Sequence, residues 1–168
     1  MEQRPRITSL ISLVIFILAN YYFVTFAIEL NGYISKLDDL RALLEDMSYE
    51  TMLNLIVVIT TILTTISLLV QYLIAKFLLM LFAPEVKSHL FYALIPKIII
   101  MFINVICMGI LQIHSLWLYI FTALIGAVLI LFFFQYKKAN WKAAILFAAP
   151  FMIDALISLG KEIVAVLS

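Results

Sequence analysis

Residues 82–97 read FAPEVKSHLFYALIPK, and they interrupt a chain that is otherwise apolar over long runs. Pro84 disfavours helix in the residue before it, so the apolar run through Phe82 should stop there. Glu85, Lys87, Ser88 and His89 supply a few polar residues, enough for a tight turn and little else. The next apolar run opens at Phe91 and carries Pro96 and Lys97 close to its start. Pro96 is tolerated there because the first N–H groups of a helix lack intrahelical partners anyway. The stretch reads as the turn of a helical hairpin.

The rest of the sequence extends that reading. The 168 residues are 66% hydrophobic and 12% charged, far from the composition of a soluble domain. Apolar runs of about 20 residues recur, the length needed to cross a hydrocarbon core of roughly 30 Å. Most are apolar on every face, where a soluble amphipathic helix would keep a polar one. Spans are expected at about 7–28, 52–76, 91–111, 116–134 and 143–166. They should be helices, because lipid offers no hydrogen-bond partner to an open backbone. The alternating ten-residue segments of a membrane β-barrel are absent. The expected fold class is therefore an all-α integral membrane protein: five transmembrane helices in one bundle, forming a single domain, plus a short external amphipathic helix.

That external helix is expected at about 35–47. Ser35 and Asp38 resemble a capping box, and Leu37, Leu40, Leu44 and Met47 recur at helical spacing. Asp38, Asp39, Glu45 and Asp46 make it acidic, whereas helices that bind anionic lipid are usually basic. It should pack on its own bundle or on a partner protein.

Orientation follows from lysine and arginine. Arg4, Arg6, Lys76, Lys87, Lys97, Lys137, Lys138 and Lys142 fall on one side, eight of the eleven basic residues. Lys36, Arg41 and Lys161 fall on the other. With five spans the N-terminus is expected in the cytoplasm and the C-terminus outside. The run from Ile7 is too long for a cleaved signal peptide and is read as an uncleaved first span. Lys97 either snorkels back to the headgroups or forms a functional site with Pro96. Pro84, Lys87, Pro96 and Lys97 make up the cytoplasmic hairpin.

Asp154 is the strongest chemical signal. If the last span begins near Ala143, this carboxylate lies about 16 Å deep at 1.5 Å per residue. Inserting it costs about 2.5 kcal/mol or more, and such residues usually face a bundle interior. Pro150, one turn earlier, frees the carbonyl of Leu146 and should kink the helix where the acid sits. Asn20, Asn104, Thr61 and Thr64, with Thr60 and Thr65, lie at compatible depths. They either tie helices together or converge with Asp154 on a midplane pocket.

Other chemistry finds no support. No metal-ligand spacing, nucleophile elbow, P-loop or dinucleotide fingerprint occurs, so no catalytic residue, metal or cofactor is expected. A net charge of +1 with no basic stripe argues against nucleic acid. Cys107 stands alone within a span and reads as packing. Trp117 with Tyr119, and Trp141 with Tyr136, sit where interfacial aromatic anchors belong.

The run YLIAKFLLMLFAPEVKSHLFYALIPKIIIMF, then SLWLYIFTALIGAVL, then KKANWKAAILFAAPF, resembles the membrane domain of the Yip family, named for interaction with Rab-type GTPases. The similar features are a helix ending near Lys76, the short turn, the Ile95–Pro96 pair, Trp117, and Lys137, Lys138 and Lys142 before the last span. The resemblance covers about residues 60–155 and is to the prokaryotic-type branch, since MEQRPR stands where eukaryotic members carry a long cytosolic region. It implies five spans, a cytoplasmic N-terminus, and no catalytic residues. It also implies a role as a helper of membrane transport.

Two functions follow as expectations. The first is a non-enzymatic accessory or scaffold subunit of a membrane transport or export system, partnered by the lipid bilayer and by another membrane protein or itself. The alternative is a small transporter or ligand-binding component with a midplane pocket around Asp154.

Overall fold

The computed structural model describes residues 3–30, 48–112 and 116–167, and the expected external helix at 35–47 lies outside them. Among the described residues the structure is all-helical. The helices are α1 (Gln3–Leu30), α2 (Tyr49–Phe82), α3 (Phe91–Gly109), α4 (Leu116–Lys138) and α5 (Trp141–Leu167). Each is long and apolar enough to cross a membrane. Large apolar side chains such as Leu63, Leu73, Phe102 and Ile145 stand exposed around the outside, a pattern that fits a bundle embedded in hydrocarbon.

The helix ends follow local chemistry. Helix α2 continues through Lys76 to Phe82, past the expected span end at 76 but as far as the apolar run before Pro84 predicts, because nothing breaks it sooner. The N–H of Ala83 still bonds the carbonyl of Leu79 at 2.8 Å, and Pro84 then begins a turn closed by Val86 N–H on Ala83 O at 3.0 Å. At its start the Ser48 hydroxyl accepts from the Thr51 N–H at 3.3 Å, an N-cap. Helix α3 stops at Gly109, short of the expected 111, and Gln112 turns into the left-handed region at φ 52°. Helix α4 runs on to Lys138, past the expected 134. Helix α5 opens on Asn140, whose side chain accepts from the Ala143 N–H at 3.0 Å.

The helices form a closed ring rather than following chain order. Each packs on two neighbours, in the order α1, α3, α4, α5, α2 and back to α1. Helix α2 therefore lies chiefly against α1 and α5, although the 83–90 turn joins it to α3.

One end of the ring is filled with aromatic side chains. Phe134 and Phe147 stack at 4.4 Å between centroids, and Tyr92 meets Phe134 edge-on at 5.2 Å. Ala75, Ala93, Ala127, Ala143, Ala144 and Ala148 are buried with them, small enough to let the helices close in. The lysine-rich turns cover this plug: the Lys138 ammonium stands 5.5 Å above the Tyr92 ring, and that of Lys137 5.2 Å above Tyr136, within cation–π range. Deeper along the axis, Phe16, Leu68 and Leu94 form a second buried cluster. Trp117, Tyr136 and Trp141 are exposed near helix ends, where interfacial anchors stand.

The α4–α5 turn carries one strained residue. Ala139 adopts φ 51°, a region that costs a residue with a Cβ about 1–2 kcal/mol. Ala139→Gly is predicted to raise the melting temperature in detergent, and Asn140→Ala to lower it, since losing the cap costs about 1 kcal/mol of stability. A thermal scan of the two variants beside the parent checks both signs.

Candidate functional site

Beyond the aromatic plug the ring encloses a partly open cavity of about 530 Å³, within the size range of small-molecule sites. All five helices line it. Helix α1 contributes Asn20 between Phe16 and Val24, and α3 contributes Lys97, Ile100, Met101 and Asn104. Helix α4 supplies Thr122, Ala123 and Gly126. From α5 comes Asp154, the central residue of that 27-residue helix. Helix α2 lays down a polar stripe of Thr60, Thr64, Ser67 and Gln71, spaced by four, three and four so that one helical face presents all of them.

The structure thus brings Asp154, Asn104, Asn20 and Thr64 together and leaves Thr61 out. Thr61 is buried, with its Oγ1 unpartnered, but it lies one residue, about 100° of helical rotation, off the stripe. Ser67, Gln71 and Thr122 complete the site. The i, i+3/i+4 repeat from Thr60 to Gln71 was the sequence signal for the first two. Lys97 lines the cavity as well. Pro96 beside it is fully buried. Pro84 and Lys87 belong to the 83–90 turn at the far side of the aromatic plug, away from the cavity.

Asp154 differs from the interior position expected for a midspan carboxylate. It is exposed and stands in the seam between α2 and α5. On one side it lines the central cavity. On the other it lines an outer cleft of about 420 Å³, together with Val70, Ile74, Leu78, Ile153 and Ile157. Ser67 and Gln71 are likewise shared by cavity and cleft.

Hydrogen bonding sorts the cavity groups into satisfied and waiting. The Thr64 hydroxyl donates to its own helix at Thr60 O, 2.7 Å, and Thr122 does the same to Leu118 O at 2.8 Å. Such back-bonds spend the hydroxyl proton and leave acceptor lone pairs. Gln71 Nε2 donates to Ser67 Oγ at 3.2 Å, but Gln71 Oε1 has no partner. Nor do Asn20 Nδ2 and Asn104 Oδ1, although Asn20 is 2% exposed and Asn104 6%. Leaving a buried polar atom unpaired costs about 1–3 kcal/mol. Three such atoms at one cavity are a standing demand for a partner.

Among the described residues no three His, Cys, Asp or Glu side chains gather to hold a metal ion. His89 packs against Phe91 and Tyr92 in the 83–90 region, and His114 lies outside the described residues. No family model, curated protein or solved structure matches the chain.

Truncating a paired core asparagine normally destabilises by about 1–3 kcal/mol. For Asn104→Leu the expected outcome is the reverse: an unchanged or raised melting temperature in the ligand-free detergent-solubilised protein, because the orphaned acceptor is removed. A fall of several degrees would mean that Asn104 Oδ1 is already satisfied.

Proposed function

We propose that this chain is an integral membrane protein that binds a small polar or amphipathic ligand in its central cavity, as a small transporter or ligand-binding component. The observation that carries this reading is the convergence of polar side chains from all five helices on one cavity, with Asn20 Nδ2, Asn104 Oδ1 and Gln71 Oε1 unpartnered. If these residues served only to join helices, their polar atoms would be paired with one another. The role is binding rather than catalysis, since Lys97 and Asp154 are the only ionisable groups among the described residues lining the cavity. Among the described residues no second acid, histidine or thiol lines the cavity beside them.

The chain sits, in this proposal, with its N-terminus in the cytoplasm and its C-terminus outside, in a prokaryotic cytoplasmic membrane. The support is the lysine-rich end, where Lys87 and Lys138 lie close enough to feel one another's charge, as positive-inside loops do. On a Cys107→Ala background, a membrane-impermeant maleimide added to intact cells should label Gln112→Cys and spare Lys87→Cys. The opposite pattern would invert the topology.

The functional test extracts the wild type and Asp154→Asn into nanodiscs at native expression level, with mass spectrometry of what accompanies each. A small molecule or lipid held stoichiometrically by the wild type and lost from the folded variant is expected. A wild type that carries no ligand but a stoichiometric membrane protein would overturn the pocket reading. It would favour the accessory role that the resemblance to the Yip family implies.

A further inference from the structure

The cavity does not end at the ring. Ser67, Gln71 and Asp154 line both the central cavity and the outer cleft, so these three side chains form a polar threshold between a partly open cavity that carries polar groups and an apolar groove on the outside of the bundle. The groove is built from α2 residues Val70, Ile74 and Leu78 facing α5 residues Ile153 and Ile157. Val70, Ile74, Ile153 and Ile157 are exposed. An opening of this form admits a molecule sideways from the lipid, with its polar end inside and its apolar end left in the groove. A water-soluble ligand has no use for an apolar groove outside the ring.

The charges specify the polar end. At the threshold stand acceptors: the Asp154 carboxylate and the unpartnered Gln71 Oε1. An ammonium group satisfies both. Lining the cavity but not the outer cleft stand donors: Lys97, and Asn20 with its unpartnered Nδ2. An anionic group such as a phosphate satisfies those. Lys97 and Asp154 come from α3 and α5, which are not neighbours in the ring, and both line the one cavity.

Resting on the binding function proposed above, we infer that the α2–α5 seam is a lateral portal for a zwitterionic amphiphile. Its anionic group lies at Lys97 and Asn20, its ammonium at Asp154 and Gln71, and its chain along Val70, Ile74, Leu78, Ile153 and Ile157. A phospholipid with an ethanolamine headgroup has this chemistry, whereas an anionic glycerol-headed lipid lacks the ammonium.

The test uses the full chain in detergent, given phosphatidylethanolamine or phosphatidylglycerol of matched chains, or soluble phosphoethanolamine alone. Retained lipid is read by native mass spectrometry and binding by the shift in melting temperature. Preferential retention of phosphatidylethanolamine is expected. Asp154→Asn should weaken it roughly tenfold, as loss of one charge-assisted hydrogen bond does. Ile153→Trp, which fills the groove without touching either charge, should weaken lipid retention and leave any response to phosphoethanolamine intact. It keeps the test decisive if Asp154→Asn fails to fold. Equal retention of the two lipids, or a lipid complex indifferent to Ile153→Trp, would overturn the portal. A shift with phosphoethanolamine and none with either lipid would overturn the portal while leaving the cavity reading standing. No response to any probe, from a protein that carries no other ligand in nanodiscs, would overturn both.

Discussion

Hydrocarbon supplies no hydrogen bonds, and everything specific about this chain follows from how its polar atoms cope with that. The backbone copes by being helical. Short hydroxyl side chains cope by folding back, as Thr64, Thr65, Thr122 and Ser158 do onto carbonyls four residues earlier. The longer amides cannot close on their own helix in this way. Asn20, Asn104 and Gln71 keep unpartnered atoms, and Lys97 and Asp154 add full charges. Scattered around the bundle these groups would only destabilise it. Gathered at one cavity, they let a single bound molecule relieve several penalties at once.

The ring order makes that gathering feasible. At the lysine-rich end, Tyr92, Phe134, Phe147 and Phe151 fill the centre, and large rings with buried alanines give a tight, apolar closure. Next to Phe16 and Leu68 the centre opens into the cavity, where polar groups stand among large apolar side chains such as Phe23, Ile100 and Met101. Ala123 and Gly126 line the cavity. A Cβ on Gly126 would come 3.1 Å from Ile100 Cγ1, so that glycine lets α3 and α4 stay close exactly where the space inside widens.

The hairpin at 82–97 and the five apolar helices were legible because length and composition of such runs are strong signals. Asn20, Asn104, Thr64 and Asp154 were legible as polar interruptions, but their convergence was not. Helices apolar all round have no periodic stripe to say which face turns inward, so neither the ring order nor the α2–α5 seam could be read. Thr61 shows the limit at the scale of one residue: it shares the depth of Thr60 and Thr64 and still lies off the cavity. Lys97 shows it differently. Its place near a helix start made a headgroup contact natural to expect, and only the rotation of α3 about its own axis brings it to the cavity.

Why the cavity should hold one charge of each sign follows from the cost of carrying either alone. A lone lysine or aspartate at this depth is penalised by about 2.5–3.5 kcal/mol on insertion scales. An opposite charge across a low-dielectric space offsets part of that penalty for both. A closed ion pair would offset more, but each charge would then be satisfied and have little left for a ligand. Placing Lys97 and Asp154 on helices that are not neighbours in the ring holds the system between those limits: balanced enough to fold, with both charges still available. On the binding function proposed above, the same geometry would set the ligand's sign pattern. A purely anionic guest would satisfy Lys97 and strand Asp154, and a purely cationic one the reverse. Only a guest carrying both charges, in the order the cavity presents them, satisfies both sides.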